Sequence, residues 1–362
     1  MTKTFTYASF CAGIGGMTMG FEKVGGQGVL ASEFDPEAKG KQFAQEAHKL
    51  LHPQIPVVGD LTKLTPDDLP YFDVAAYTPP CQSYSYAGER KGLDDMRGTV
   101  AFYILKLLQA PRPKIHVMEN VKGLLTDDDG RTFETLVSAL CSMGYVVDFT
   151  VIDSRDYGAP QKRERVYMVA IRDDLVAPEV WAVEGTTVLA ETKRNLLKLP
   201  EIKTFNFDWN PIGPLQITTN DLLEADVPAK YFYSDERCVD IPVPSDAVNP
   251  LEPNMVGRLA IKAPDKCKRV YNPYSVITTI TANSGGYHEP KIALGKGKAR
   301  KLTPKETLRH QRVSDAYIDK LIDGGFSDSR LYKFAGNMIT ISVAERIAQS
   351  FVKYLDEEKG EA

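Results

Sequence analysis

The 362 residues contain no Cys-x-x-Cys pair, and the five cysteines (Cys11, Cys81, Cys141, Cys238 and Cys267) are scattered and odd in number. That excludes a zinc knuckle and a disulfide framework, and points to reduced thiols. No apolar run approaches the ~20 residues that span a bilayer, and Met1–Tyr7 lacks a signal-peptide core, so a cytoplasmic protein with no membrane partner is expected. His48 and His52 have metal-pair spacing, but His-Lys-Leu-Leu-His lacks the glutamate of a zinc-protease helix, so no metal is expected. No phosphate-binding P-loop, no Ser-His-Asp arrangement, no repeat and no low-complexity tract stands out. The chain also lacks a net positive charge, at −4 overall. Yet between Gly257 and Arg312 it carries thirteen Lys and Arg against three acidic residues. Such a stretch suits a phosphate-facing surface, although a solvated charged face would have the same composition.

What is present is first an alternation of periods. Strands are expected at Phe5–Phe10, Val29–Ser32, Ile55–Val58, Asp73–Tyr77, Ile115–Met118, Tyr145–Ile152 and Arg165–Ile171. Helices are expected from Gly16 to about Val24 and at Pro36–Leu51, Thr99–Leu108 and Arg131–Met143. Strands alternating with helices predict an α/β fold with a doubly wound, mostly parallel, Rossmann-like sheet whose ligands sit beyond the carboxyl ends of the strands. After about Pro178 the chain turns Pro- and Gly-rich, with short β-like runs at Leu215–Thr219 and Val276–Thr281, which predicts a smaller irregular domain. Thr303-Pro304-Lys305-Glu306 reads as a capping box, and Ile339–Leu355 as a closing amphipathic helix.

Three strand ends carry ligand-type residues. Phe10-Cys11-Ala12-Gly13-Ile14-Gly15-Gly16 is a glycine turn that lets a ligand approach the backbone, but Thr18 stands where a dinucleotide fingerprint needs glycine. Glu33 can accept from ribose hydroxyls, and Asp60 from a purine amine; surface acids beside a tight turn are the alternative. Thr78-Pro79-Pro80-Cys81-Gln82 places a thiol on a stiffened turn, followed by a polar, glycine-containing loop to Gly98 that suits a lid. Glu119 ends the next strand, so a nucleophile and an acid share one sheet edge. Alternation into the following strand puts Arg163 and Arg165 on one side, able to hold a phosphate or a base carbonyl.

These motifs, in this order, resemble the DNA cytosine-5 methyltransferase family, especially its compact bacterial restriction-modification members, over nearly the whole chain. Met118-Glu119-Asn120-Val121, Gln161-Lys162-Arg163-Glu164-Arg165, Arg300–Glu306 and Gly336-Asn337 add to the match. The resemblance implies that Cys81 adds to C6 of a flipped cytosine in double-stranded DNA, that Glu119 contacts N3 and the exocyclic amine, and that Arg163 and Arg165 support the base and the loop. It implies S-adenosylmethionine bound by Phe10–Gly16, Glu33, Phe34, Asp60, Pro80 and Asn337. It assigns DNA contacts to Gln82, Ser85, Lys268, Arg269, Tyr271, Thr279, Gly285 and Gly286. It divides the chain into a catalytic domain (1–185, completed by 331–362) and a target-recognition domain (186–330). It also implies a monomer of bacterial or phage origin, with a separate restriction endonuclease as a candidate companion. A transfer-RNA methyltransferase and an inactive nucleic-acid-binding homologue are the alternatives. The sequence departs from the family at Cys11, where an aromatic is usual, at Ser9, where an acid is usual, and at Ala335.

Overall fold

The computed structural model describes residues 4–38, 40–80, 100–213, 216–282 and 287–355. The chain forms two compact units. Unit 1 comprises Met1–Ile152, Glu164–Asn210 and Ala344–Ala362; unit 2 comprises Asp153–Arg163 and Pro211–Val343.

Unit 1 follows the order β1 (Phe5–Phe10), α1 (Gly16–Glu22), β2 (Gly26–Ser32), α2 (Phe43–Leu51), β3 (Val57–Val58), β4 (Val74–Tyr77), α3 (Val100–Leu108), β5 (Ile115–Val121), α4 (Arg131–Ser142) and β6 (Tyr145–Asp153). Beyond a two-residue strand of the other unit, β7 (Gln161–Lys162), the chain re-enters unit 1 as β8 (Glu164–Arg172) and α5 (Val188–Leu196). Sheet order is β3-β2-β1-β4-β5-β8-β6. The pairs from β3 to β5 are parallel, and β8 runs antiparallel to β5. The order reverses between β1 and β4. Right-handed crossovers then put α1 and α2 on one face and the helices that follow β4 and β5 on the other. That reversal is the switch point where such sheets bind ligands.

Burial explains why the chain takes this form. Val74, Ala75, Ala76 and Tyr77 are all buried, as a strand covered on both faces requires. Phe5, Phe21 and Phe351 pack edge-on with centroids 5.1–5.8 Å apart, joining β1, α1 and the last helix. A Cβ at Gly20 would stand 2.5 Å from Cβ of Ala344, so only glycine admits that approach. Asp148, buried in β6, accepts from Lys193 Nζ, Phe207 N and Trp209 Nε1, and so fastens the 181–210 segment to the sheet.

Unit 2 holds a four-stranded sheet, β13-β12-β10-β9, with a two-stranded pairing of β11 and β7. Its elements are β9 (Met255–Arg258), α6 (Asp265–Lys268), β10 (Arg269–Tyr271), β11 (Ile277–Thr278), β12 (Lys291–Gly295), β13 (Lys298–Lys301), α7 (Pro304–Arg309), α8 (Asp315–Asp323) and α9 (Asp328–Asn337). α10 (Ile341–Phe351) leads back to unit 1. The Thr303 capping box is present in both directions, with Pro304 in the first turn.

Several boundaries differ from the sequence expectation. The helix expected from Pro36 starts at Phe43, because the Gln42 side chain accepts from Asp35 N and donates to Asp35 O, tying off the chain ahead of the helix. β5 runs on to Val121 because β8 extends its ladder beyond Met118. Residues 216–219 form no strand, and the Val276–Thr281 run contributes only Ile277–Thr278. The closing helix is Ile341–Phe351 with one 3-10 turn after it.

Candidate active site

The glycine turn grows directly out of β1. Cys11 (φ 54), Gly13 (φ 56) and Gly15 (φ 95) all take left-handed backbone, which costs a non-glycine residue such as Cys11 roughly 1–2 kcal/mol. The turn is held by Ala12 N donating to Ser32 O at 2.9 Å and Gly15 N to Ala12 O at 2.9 Å. Gly13 N donates to Glu33 Oε2 at 2.8 Å, so the acid after β2 and the turn after β1 form one unit. A Cβ at Gly13 would meet nothing within 4 Å, which leaves open space for a ligand. At Gly15 it would stand 2.6 Å from Nε2 of His52. His48 and His52 therefore pack beneath the turn, fully buried with rings 4.9 Å apart, and His52 Nδ1 lies 3.3 Å from Glu22 Oε1. Burial, with His52 beside it, lowers His48 to about 3, so its ring is neutral.

Burial, and secondarily the Glu33 carboxylate, push the Cys11 thiol far above its ordinary range, so it stays protonated and inert. Phe34 is 43% exposed beside Glu33, an apolar face available for stacking. Asp60 follows β3 and caps the next turn, accepting from Thr62 N at 3.0 Å and Thr62 Oγ1 at 2.7 Å. Asn337 is exposed at the end of α9, in unit 2.

The second cluster lies at the ends of β4 and β5. Tyr77 pairs with Phe10 on one side and Met118 on the other. Thr78 ties the chain to the glycine turn, its N–H donating to Phe10 O and its hydroxyl to Cys11 O at 2.7 Å. Asn120 Nδ2 donates to Pro79 O at 3.1 Å, bracing the Pro79-Pro80 turn against β5. Pro80 is exposed. Cys81, Gln82, Ser85 and the expected lid 83–98 lie outside the described residues. Glu119, 8% exposed, meets Arg165 Nε at 3.3 Å. Nothing in the sequence alone marked Thr78 and Asn120 as braces, because their partners are backbone carbonyls of other strands.

The expected arginine pair separates. Arg163 is buried and donates to the carbonyls of Ile280, Gly336 and Met338 at 3.0–3.1 Å, all within unit 2. Arg165 turns to Glu119. The alternation assumed one continuous strand, whereas the chain breaks at Arg163 between β7 and β8.

The basic stretch is also corrected. Arg258 and Arg269 share Asp265, and Arg300 is buried against Glu306. Lys301 faces Glu289, while Lys305 and Arg309 face Asp315. Of the expected DNA contacts, Tyr271 is buried, Thr279 donates its hydroxyl to Lys162 O, and Gly285 and Gly286 lie outside the described residues. Lys268 is half-buried at the end of α6. Lys262, Lys266, Lys296 and Lys298 are exposed, and no ion pair holds them among the described residues. Six of the thirteen cations are therefore held in ion pairs.

The C-5 cytosine-specific DNA methylase family matches residues 5–353. The chain belongs to this family. It is 31% identical to the type II methyltransferase M.Bsp6I of Bacillus sp. (strain RFL6), covering 96% of this chain and 98% of the relative. It is 31% identical to the orphan methyltransferase M.SPBetaI of Bacillus phage SPbeta, covering 82% and 86%. In fold it is similar to the crystal structure of a Spodoptera frugiperda DNMT2 mutant, with TM-score 0.66, 17% identity, and 96% and 99% of the two chains covered. This DNA cytosine methyltransferase belongs to a family that implies S-adenosylmethionine as methyl donor. No helix among its described residues is long and apolar enough to cross a membrane.

Proposed function

We propose that this enzyme methylates C5 of a particular cytosine in double-stranded DNA through a transient bond between Cys81 and C6. The observation that carries the reading is the Asn120–Pro79 hydrogen bond. It joins the turn leading into Cys81 to the strand that presents Glu119.

C5 of cytosine is a poor nucleophile. When the Cys81 thiolate bonds to C6, the ring electrons shift to C5, while Glu119 engages N3 and holds the proton that neutralises the ring. S-adenosylmethionine supplies the methyl group as an electrophilic carbon on a sulfonium. The C5 proton then leaves to a base, the electron pair re-forms the ring double bond, and the Cys81 sulfur is expelled. A stacked cytosine offers no approach for the thiolate, so the base must leave the helix, at a cost of a few kcal/mol. Arg165 fixes the orientation of the Glu119 carboxylate.

The open space at Gly13, the Glu33 carboxylate bonded to the turn and the exposed Phe34 ring fit a nucleoside: ribose at Glu33, base against Phe34, methionine portion along Gly13–Gly16. Asp60, spent on its own turn, has less to offer an adenine. Residues 186–330 carry target recognition, 1–185 with 331–362 carry chemistry, and the enzyme acts as a monomer, with or without a companion endonuclease. The exposed Lys262 and Lys266 supply phosphate contacts.

Incubation with duplex DNA containing 5-fluorocytosine and the methyl donor tests this. A covalent protein–DNA adduct that survives denaturation is expected from the wild type and not from Cys81→Ala. An adduct with Cys81→Ala, or one formed on transfer RNA but not duplex DNA, refutes the reading.

A further inference from the structure

We propose that Lys291 is a positioning residue for base selection, holding in place the segment Tyr287–Pro290 that follows the stretch assigned above to reading DNA; the inference rests on that assignment. Lys291 opens β12 and is 2% exposed. Its ammonium donates to the carbonyls of Tyr287 at 2.5 Å and Glu289 at 2.7 Å. Tyr287 takes left-handed backbone (φ 67), an unfavourable state for a bulky residue that persists only when its surroundings fix it. Cys267 Sγ, 3.6 Å from His288 Nδ1, fastens the same segment from α6.

The beginning of the stretch is fastened independently. Thr279 donates to Lys162 O at 2.6 Å, Ile280 N to Gln161 Oε1 at 3.2 Å, and Arg163 to Ile280 O at 3.0 Å. Thr279 and Ile280 are thus fastened on β7, and Tyr287 and Glu289 on the first residue of β12, all within one unit. Burying an ammonium costs stability, and an apolar residue would pack there more cheaply. What Lys291 gives in return is a fixed direction for two carbonyls, those of Tyr287 and Glu289. Selection between bases turns on such placement, because a shift of about 1 Å undoes a bidentate contact. The groups facing Lys291 are Glu289, Cys267 with its neighbour His288, and Lys301; burial outweighs them and brings the ammonium to about 8.

The test compares wild type and Lys291→Met on duplex DNA randomised around a central cytosine, read by bisulfite sequencing. The wild type is expected to mark one dominant motif. Lys291→Met is expected to raise marking of sites one base removed about tenfold relative to that motif, with the apparent KM for motif DNA rising more than kcat falls. A purely structural lysine would lower all marking alike, and an unchanged ratio with folded protein overturns the proposal. If the variant does not fold, the wild type is read at pH 7 and pH 9. The ratio is expected to relax as the ammonium is lost, and a constant ratio overturns the proposal. No marking by the wild type at all would remove the underlying reading of function, a result distinct from an unchanged ratio.

Discussion

The two units put one pair of residue types to opposite uses. In unit 1, Glu119 and Arg165 meet at 3.3 Å with side chains 10% and 17% exposed. In unit 2, Arg300 grips Glu306 with both nitrogens at 2.7 Å, the side chains 3% and 0% exposed, and Glu306 also accepts from Thr303 N and Glu224 N. The first pair meets at a longer distance, toward the carboxyl end of β5, where the proposed chemistry takes place. The second has its lone pairs filled by the fold. The chemistry of a carboxylate–guanidinium pair is decided by what else surrounds it.

Exchanging the losses would break this contrast. Glu119→Gln is expected to lower turnover by about 10²–10⁴ while leaving the melting temperature within a few degrees, as single-turnover assays and calorimetry would show. Arg300→Met is expected to do the reverse. It leaves Glu306 buried without its cation, costing about 3–5 kcal/mol in denaturant titration, while turnover per folded molecule changes less than tenfold. A large stability loss from Glu119→Gln, or none from Arg300→Met, would erase the distinction.

Buried histidines sharpen the comparison with pH. Burial lowers His48 and His116 in unit 1 to about 3 and His310 in unit 2 to about 4. The unfolded chain binds protons at these rings near pH 6.5, whereas the folded chain does not. Stability is therefore full above 6.5 and falls as pH drops toward 4, by up to about 1.4 kcal/mol per unit for each ring. Denaturation midpoints across pH 7 to 4.5 would measure the slope, and a flat profile would contradict it. The smallest expected effect is at Glu33. Its replacement by Ala should weaken S-adenosylmethionine binding by about tenfold to a hundredfold and DNA binding by much less, both readable by calorimetry.

The site of unit 1 was legible where function follows strand ends. Gly13, Glu33 and Glu119 stand where the alternation of strand and helix put them, because a parallel sheet aligns its carboxyl ends. Asn120 and Thr78 were not, since their partners are carbonyls on chain segments about 40 and 67 residues away. Unit 2 was less legible for a physical reason. Part of its positive charge is held in ion pairs and one buried ammonium, so the basic count from Gly257 to Arg312 overstates the cations its surface leaves exposed. The expected pairing of Arg163 with Arg165 failed through a two-residue strand too short to show a period.

That short strand has a consequence for engineering. β7 pairs with β11, Gln161 receives the amide of Ile280, and Arg163 clasps Ile280, Gly336 and Met338. A chimera that exchanges Pro211–Val343 alone would leave Arg163 facing carbonyls it was not shaped for. Splice points should therefore enclose Asp153–Arg163 as well, so that the side chain gripping these carbonyls is exchanged together with them.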